Sequence, residues 1–339
     1  MKFAAILSLA AAALFSAPVA AEVAGPSVNW RIATSGKPRS GTTHIEVLKK
    51  YVEEQTNGRF SITLGYGTFG EAKEFLDLLK IGVIQGATVQ ASLSVDRLPL
   101  YTALDLPFLP LKNPDTQRRV HEAVHARPDI KAEFAAWNSM PFMSSLLPQY
   151  EILGKGNAPK KLADLNGLRL RALGGAGKAL AKLGAVPTNL PASETYVAMD
   201  RGLITAVAFP YYAHVSFKTY ELGSWMTTNL AIGTTAFPVV FGVKAWNDLP
   251  PQYRELLLQA REVAYRAHKE VLKKDDLKAL ATIKGAGAKL IEFGDTDLAE
   301  FRAVGGKPVW DEWVKSMKGR NLDGQNLLDF ILKLSSEKK

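Results

Sequence analysis

The chain has 339 residues, of which 47% are apolar and 22% charged, with a formal net charge of +9 and no cysteine. This composition is that of an ordinary globular protein, with enough chain for two separate cores. Without cysteine, disulfides, thiolate metal sites and a lipid-modified cysteine anchor are excluded. Nucleic-acid binding would require clustered basic residues, whereas the lysines and arginines here are spread beside acidic residues along predicted helices. The positive charge favours small anions in a general way.

Residues 1–21 have the pattern of a cleaved secretory signal. Lys2 precedes an apolar run from Phe3 to Phe15, and small residues follow up to Ala21. The run is shorter than the roughly 20 residues that span a bilayer. We therefore expect cleavage after Ala21 and export of the mature protein to a periplasm.

The mature sequence alternates between strand and helix patterns. Apolar spacing predicts strands at 28–34, 59–66, 83–90, 167–173, 203–209 and 237–243. Helical spacing predicts helices at 42–56, 71–82, 178–184 and 194–202, and one very long helix at 249–284. This order predicts two α/β units, each with a mainly parallel sheet covered by helices, joined by more than one crossing of the chain.

A short pattern within residues 121–125 matches a zinc peptidase helix. His121, Glu122 and His125 form H-E-x-x-H, in which two histidines on one helix face hold a metal and the glutamate acts as base. The extended form of the motif requires glycine at 128 and histidine at 131, where the chain has Pro128 and Lys131. We expect the two histidines on a solvated face, opposite the apolar residues 120, 123 and 124. An exported zinc hydrolase stays the alternative from a different functional class.

A glycine-rich segment, residues 171–182, resembles a phosphate-binding loop. Ala172 and Ala179 occupy the positions that require glycine and a hydroxyl residue, so the nucleotide interpretation fails. A strand nevertheless ends at Arg171 just before glycines and a helix N-terminus, which attracts anions. The planar guanidinium matches a carboxylate. Residues alone leave two roles open for Arg171: binding a ligand carboxylate or pairing with a surface acid.

Several motifs, taken in order, resemble those of one family. They are TNGR at 56–59, LPFL at 106–109, DLNGLRLR at 164–171, ETY at 194–196 and WNDLP at 246–250. With these motifs the chain resembles the DctP-type solute receptors of tripartite ATP-independent periplasmic (TRAP) transporters along nearly the whole mature sequence.

The resemblance implies an α/β, two-lobed periplasmic-binding-protein fold with a ligand cleft between the lobes and a long helix spanning both. We expect lobe I to comprise 22–148 plus about 236–283, and lobe II to comprise 149–235 plus about 284–339. It also implies capture of a small-molecule organic acid for membrane permease subunits, without catalysis. We expect a monomer with no cofactor, no metal site and no nucleic-acid partner. A sensor subunit with the same fold is a further alternative.

The resemblance also points to particular ligand-binding residues. Arg171 falls on the family arginine that clamps the ligand carboxylate. Phe209 aligns with a family asparagine, and Tyr150 aligns approximately with a family arginine. Because aromatic groups replace polar ones, we predict a monocarboxylate with an apolar or aromatic body. A C4-dicarboxylate or 2-oxo acid is the alternative, with Phe209 then only a core residue and Tyr150 facing solvent.

Topology nominates further candidates, because ligands bind at the carboxyl ends of parallel strands. These are Arg39 and Ser40 after the first strand, Gln90 and Ser92 after the third, Tyr211 after Phe209, and Phe237 where the chain returns.

Overall fold

A computed structural model describes residues 22–111 and 113–337, so the predicted signal segment and its cleavage site lie outside the described residues. The strands are β1 Val28–Thr34, β2 Phe60–Tyr66, β3 Gly86–Thr88, β4 Ser139–Ser144, β5 Glu151–Gly154, β6 Arg169–Arg171, β7 Val186–Thr188, β8 Ala206–Phe209, β9 Trp225–Thr227, β10 Pro238–Gly242 and β11 Lys289–Ile291. The α-helices are α1 Thr43–Gln55, α2 Phe75–Lys80, α3 Pro114–Ala126, α4 Pro128–Ala135, α5 Gly174–Ala181, α6 Thr195–Asp200, α7 Tyr211–Ser216, α8 Val243–Asp248, α9 Pro251–Gly285, α10 Asp295–Gly305, α11 Lys307–Gly319 and α12 Gly324–Ser336. No helix in this described part is both long and apolar enough to cross a membrane.

The strands form two sheets, as the repeated strand–helix pattern predicted. The first has the order β2-β1-β3-β10-β4, and the second has the order β11-β9-β5-β8-β6-β7. In the first sheet β1 is parallel to β2 and β3, while β10 is antiparallel to β3 and β4. In the second sheet β6 is parallel to β7 and β8, while β5 is antiparallel to β8 and β9. The predicted α/β class is confirmed, but both sheets are mixed and not mainly parallel as expected, because β10 and β5 run antiparallel to their neighbours.

This topology brings several connections to one edge of each sheet, the edge formed by the carboxyl ends of its parallel strands. The parallel strands β1, β3, β6 and β8 end at that edge, and the antiparallel strands β5 and β10 begin there. Residues just after the parallel strands therefore lie beside residues just before the antiparallel ones. In open α/β sheets this is the edge at which ligands bind.

Helix α9 joins the two halves of the molecule. Its 35 residues pack against α1, which follows the first strand, and against α7, which follows β8. Two adjacent aspartates on α9 make polar contacts to both sides: Ser40 Oγ donates to Asp275 Oδ2 at 2.7 Å, and Tyr212 N donates to Asp276 Oδ1 at 3.0 Å. The predicted long helix is therefore present and bridges elements of both sheets.

The prediction of a solvated face for the two histidines of α3 is wrong. His121 and His125 are buried, in a stripe with Gln117, Val120 and Val124. These positions repeat at intervals of three and four residues, so the buried face is centred one position away from the one expected. Burial lowers the pKa of His121 to about 4 and that of His125 to about 3, so both rings are neutral and can occupy an interior position.

The C-terminal segment, from β11 to α12, makes contacts in both halves of the molecule. Strand β11 pairs with β9 in the second sheet. Helix α12 instead packs against α3, and its Leu327 and Ile331 share a hydrophobic cluster with Val120. The lobe boundaries expected from the resemblance stay a prediction.

Candidate functional site

A pocket lies between the two sheets, at the edges formed by the carboxyl ends of their parallel strands. The wall formed by the first sheet and its connections consists of Thr34, Ser35, Arg39, Gly41, Thr42, His44, Thr88, Gln90, Ser145 and Leu147. The opposite wall consists of Tyr150, Arg171, Ala192, Phe209, Pro210, Tyr212, Ala213 and Phe217, with Phe237 on the returning connection. The described lining contains two arginines and no acidic residue, so the electrostatic character of the pocket favours an anion.

Arg171 is the last residue of β6, and its side chain is only 1% exposed. Nε donates to the Leu190 carbonyl at 3.0 Å and Nη1 donates to the Ala208 carbonyl at 3.3 Å. Among the described residues no carboxylate pairs with this guanidinium, so its charge is not neutralised within the fold. Burial lowers its pKa to about 10, against the opposing effect of nearby Tyr150, and the group remains charged at neutral pH.

Aromatic side chains surround Arg171. The Phe209 ring centroid lies 4.4 Å from the guanidinium carbon, which is a cation–π contact. Phe217 stacks on Phe209 with centroids 5.5 Å apart. Tyr150 is 4% exposed, so the alternative in which it faces solvent is wrong. Phe209 belongs to the core and also lines the pocket.

Arg39 supplies the second cation. Its Nη1 donates to the carbonyls of Ser35 and Lys37, both at 2.8 Å, and its guanidinium lies 5.4 Å from the Phe217 ring centroid. The side chain is half-buried, in contrast to the enclosed Arg171. Phe217 therefore lies directly beside Arg39 and is connected to Arg171 through the Phe209 ring.

The remaining predicted residues divide into two groups. Gln90 and Phe237 line the pocket together with the residues just described. Ser40, Ser92 and Tyr211 are not among its lining residues. Ser40 is turned to Asp275 of α9, and Tyr211 Oη lies 3.5 Å from the Thr228 carbonyl. Ser92 is buried beside Gly174 at the start of α5.

Sequence reasoning missed three prominent lining residues, His44, Tyr212 and Phe217. His44 lies only four residues after Ser40, in the first turn of α1, and belongs to no motif of its own. For Tyr212 the signal was present, because its neighbour Tyr211 was chosen. In the short helix α7 the second residue, and not the first, faces the pocket. Phe217 follows α7 and carries no local motif.

The two walls meet closely at Gly41. A Cβ atom at this position would lie 2.4 Å from Tyr212 Oη, which is closer than real Cβ atoms approach other atoms. It would also lie 3.1 Å from the Tyr212 Cζ, which is a tight contact. Gly41 belongs to the segment after β1, while Tyr212 belongs to α7 after β8. A side chain at 41 would therefore displace the Tyr212 ring or hold the walls apart.

The described residues contain no group of three or more His, Cys, Asp or Glu placed to hold a metal ion. In the H-E-x-x-H segment, His125 Nε2 shares a hydrogen bond of 2.7 Å with Tyr101 Oη. Glu122 accepts from Arg118 Nε at 3.1 Å. These two side chains of the motif are thus engaged by neighbouring residues.

A two-sheet α/β protein with an anion-attracting pocket between its halves has the architecture of an extracytoplasmic binding protein. The model of the DctP family, described as bacterial extracellular solute-binding protein, family 7, matches residues 32–316. The chain belongs to this family of TRAP transport proteins, and the predicted resemblance is confirmed. Members of this family are periplasmic solute-binding proteins that work with membrane permease components.

Three relatives illustrate the similarity. A Nostoc sp. protein named monocarboxylate 2-oxoacid-binding periplasmic protein is 27% identical over 79% of this chain and 74% of its own length. A marine metagenome TRAP solute-binding protein specific for aromatic acid ligands, solved with 3-hydroxybenzoate, has a TM-score of 0.82 at 22% identity and covers 92% of this chain and 99% of its own. A TRAP solute-binding protein from Rhodoferax ferrireducens, solved with copurified benzoate, has a TM-score of 0.82 at 21% identity, covering 91% and 98%. The two-lobed periplasmic-binding fold is thereby confirmed.

Proposed function

We propose that this protein captures a small carboxylate in the pocket between its two sheets and delivers it to a TRAP permease, without chemical change. The favoured ligand is a monocarboxylate with an apolar or aromatic body. The pattern of residues 1–21 supports export to the periplasm, where family members act.

The observation that carries the proposal is the state of Arg171. It is a buried guanidinium that lines a pocket and that, among the described residues, has no acidic partner. A buried charge without a counter-ion is costly, and a ligand carboxylate would compensate it. Nε and Nη1 donate to two main-chain carbonyls, which orient the planar guanidinium and leave Nη2 for a ligand.

The apolar body is argued from the rings around that guanidinium. Phe209, Tyr150, Phe217 and Phe237 bring aromatic surface to the pocket, and such surface suits an apolar or aromatic ligand body. The aromatic acids named for the two solved structures support the same class, and the monocarboxylate 2-oxo acids named for the Nostoc relative share only its single carboxylate.

One observation favours a second candidate, a C4-dicarboxylate or 2-oxo acid. Arg39 lines the same pocket as Arg171, and a second carboxylate or an oxo group could bind there. Against this, Arg39 already donates to two main-chain carbonyls and lies on Phe217. We therefore keep the monocarboxylate as the first choice.

A thermal-shift screen of the mature protein tests the proposal, because a ligand that binds only the folded state raises the melting temperature. The protein is unfolded and refolded first, to remove any acid carried through purification. Benzoate and pentanoate represent monocarboxylates, succinate and malate dicarboxylates, and pyruvate 2-oxo acids. We expect a concentration-dependent rise with a monocarboxylate. A response to succinate, malate or pyruvate without one to benzoate or pentanoate would establish the second candidate, and no response to any acid would contradict carboxylate capture.

A further inference from the structure

Two polar side chains in the pocket have buried atoms without a hydrogen-bond partner among the described residues. They are both ring nitrogens of His44, which is 1% exposed, and Nε2 of Gln90, which is 5% exposed. Unpaired buried polar atoms are uncommon in folded proteins and call for an explanation. Because both residues line the ligand pocket, a bound ligand is the simplest partner for them.

His44 and Gln90 come from the wall opposite to Arg171. His44 is in the first turn of α1 and Gln90 follows β3, both on the side of the first sheet. Arg171 and Phe209 end strands of the second sheet. A ligand that spans the pocket with its carboxylate at Arg171 would turn its other end toward the wall of His44 and Gln90.

The chemistry of His44 restricts what that other end can be. Burial lowers its pKa well below the ordinary value, with further lowering by His268, so the ring is neutral. The His268 ring lies 4.6 Å away between centroids, and its Nε2 accepts from Leu146 N at 3.2 Å. A neutral imidazole offers one donor and one acceptor, which matches a hydroxyl group or, through the donor alone, an oxo group. It offers no charge to a second carboxylate.

An unpaired histidine by itself does not mark a ligand site. His121 is equally buried and also has two unpartnered ring nitrogens, but it lies on α3 outside the pocket. The location in the pocket, together with the unpaired Gln90 amide on the same wall, distinguishes His44. The contrast makes His121 the natural control.

We propose that His44 and Gln90 form a second polar position that reads a hydroxyl or oxo group at the end of the ligand remote from its carboxylate. This inference rests on the proposed function, because the carboxylate on Arg171 sets the orientation of the ligand. The ligand class is then a hydroxy- or oxo-substituted monocarboxylate. An unsubstituted acid fills the pocket but leaves these polar atoms unpaired, which weakens its binding.

Calorimetric titration with matched acid pairs tests the inference. Benzoate is compared with 3- and 4-hydroxybenzoate, and pentanoate with 5-hydroxypentanoate. We expect one hydroxy acid to bind about ten- to a hundredfold more tightly than its unsubstituted partner, from the usual cost of unpaired buried groups. In His44→Leu and Gln90→Leu we expect the hydroxy acid to lose more affinity than its unsubstituted partner, so that this preference shrinks. In His121→Leu the preference stays as in the wild type.

Equal affinity of wild-type protein for both members of each pair would overturn the second polar position while leaving carboxylate capture intact. The second polar position is equally overturned if His44→Leu and Gln90→Leu weaken both members of a pair to the same extent, with melting temperatures like that of His121→Leu. Failure of every acid to bind would defeat the proposed function and this inference together.

Discussion

The Arg171 guanidinium carbon lies 4.4 Å from the centroid of the Phe209 ring, and these are the final residues of two neighbouring parallel strands. The ring covers one face of the cation without satisfying its hydrogen-bond donors. The guanidinium is thereby positioned by an aromatic face and two carbonyls while its charge stays available.

We predict that Phe209→Leu weakens binding of an aromatic monocarboxylate by about tenfold, because it removes a cation–π contact and aromatic surface from the pocket. Isothermal titration measures the change. Phe301→Leu is the matched control, since Phe301 is fully buried but is not a lining residue of the pocket. It should lower the melting temperature comparably and leave affinity unchanged. Equal affinity in both variants would exclude the Phe209 ring from binding.

Gly41→Ala is expected to weaken ligand binding more than it destabilises the fold. Its Cβ would contact Tyr212 Oη at 2.4 Å, across the meeting point of the two walls. Gly285→Ala is the control, because an added Cβ there meets nothing within 4 Å. The double variant Gly41→Ala, Tyr212→Phe removes the shortest contact and should recover part of the affinity. An affinity loss that the double variant does not relieve would contradict this explanation.

The sequence predicted the elements well where apolar spacing or helix-terminating residues were clear. β1 occupies 28–34 as expected, and α9 begins and ends within two residues of the predicted 249–284. Helix α5 begins at Gly174, four residues before the predicted start at 178. Its first turn packs closely on another segment, since an added Cβ at Gly175 would lie 2.2 Å from the Asp105 carbonyl oxygen. Such a tertiary contact is not visible in local spacing.

The same distinction applies to the pocket residues, some of which could be predicted from their position in the chain while others depend on tertiary contacts. Arg171 and Phe209 could be nominated because they end parallel strands, a position that topology alone makes functional. The choice of Tyr211 over Tyr212 failed because one residue in a short helix turns a side chain by about 100°. The prediction that His121 lies on a solvated face of its helix was wrong because a neutral imidazole is compatible with both a buried and an exposed face. Contacts between distant segments decided these cases.

All five histidines of the chain are buried, and burial lowers the pKa of each. Since each of these histidines binds a proton near pH 6.5 in the unfolded chain but not in the folded chain, their contribution to the free energy of unfolding falls as pH drops from about 6.5 toward 4. Above that window these groups impose no penalty. For His121, whose folded pKa is about 4, the contribution approaches about 1.4 kcal/mol per pH unit.

Urea unfolding of wild type and His121→Leu between pH 7 and pH 4.5 checks this sign. On acidification the free energy of unfolding of the variant should rise relative to that of the wild type, because the variant lacks the His121 contribution. Gln117→Leu, which removes a buried amide from the same face of α3, should change stability by the same amount at every pH. Identical pH slopes for wild type and His121→Leu would show that this histidine is not held neutral by the fold.

The most direct test of the account is the affinity of Arg171→Met for the best acid from the ligand screen, measured by isothermal titration beside Arg169→Met. Arg169 lies on the same strand but is exposed, so it controls for the loss of one positive charge. We predict that Arg171→Met binds about a hundredfold more weakly, as expected when one partner of a buried charge pair is removed, while Arg169→Met binds like the wild type. A folded Arg171→Met protein that keeps wild-type affinity would contradict the central claim that this guanidinium holds the ligand carboxylate.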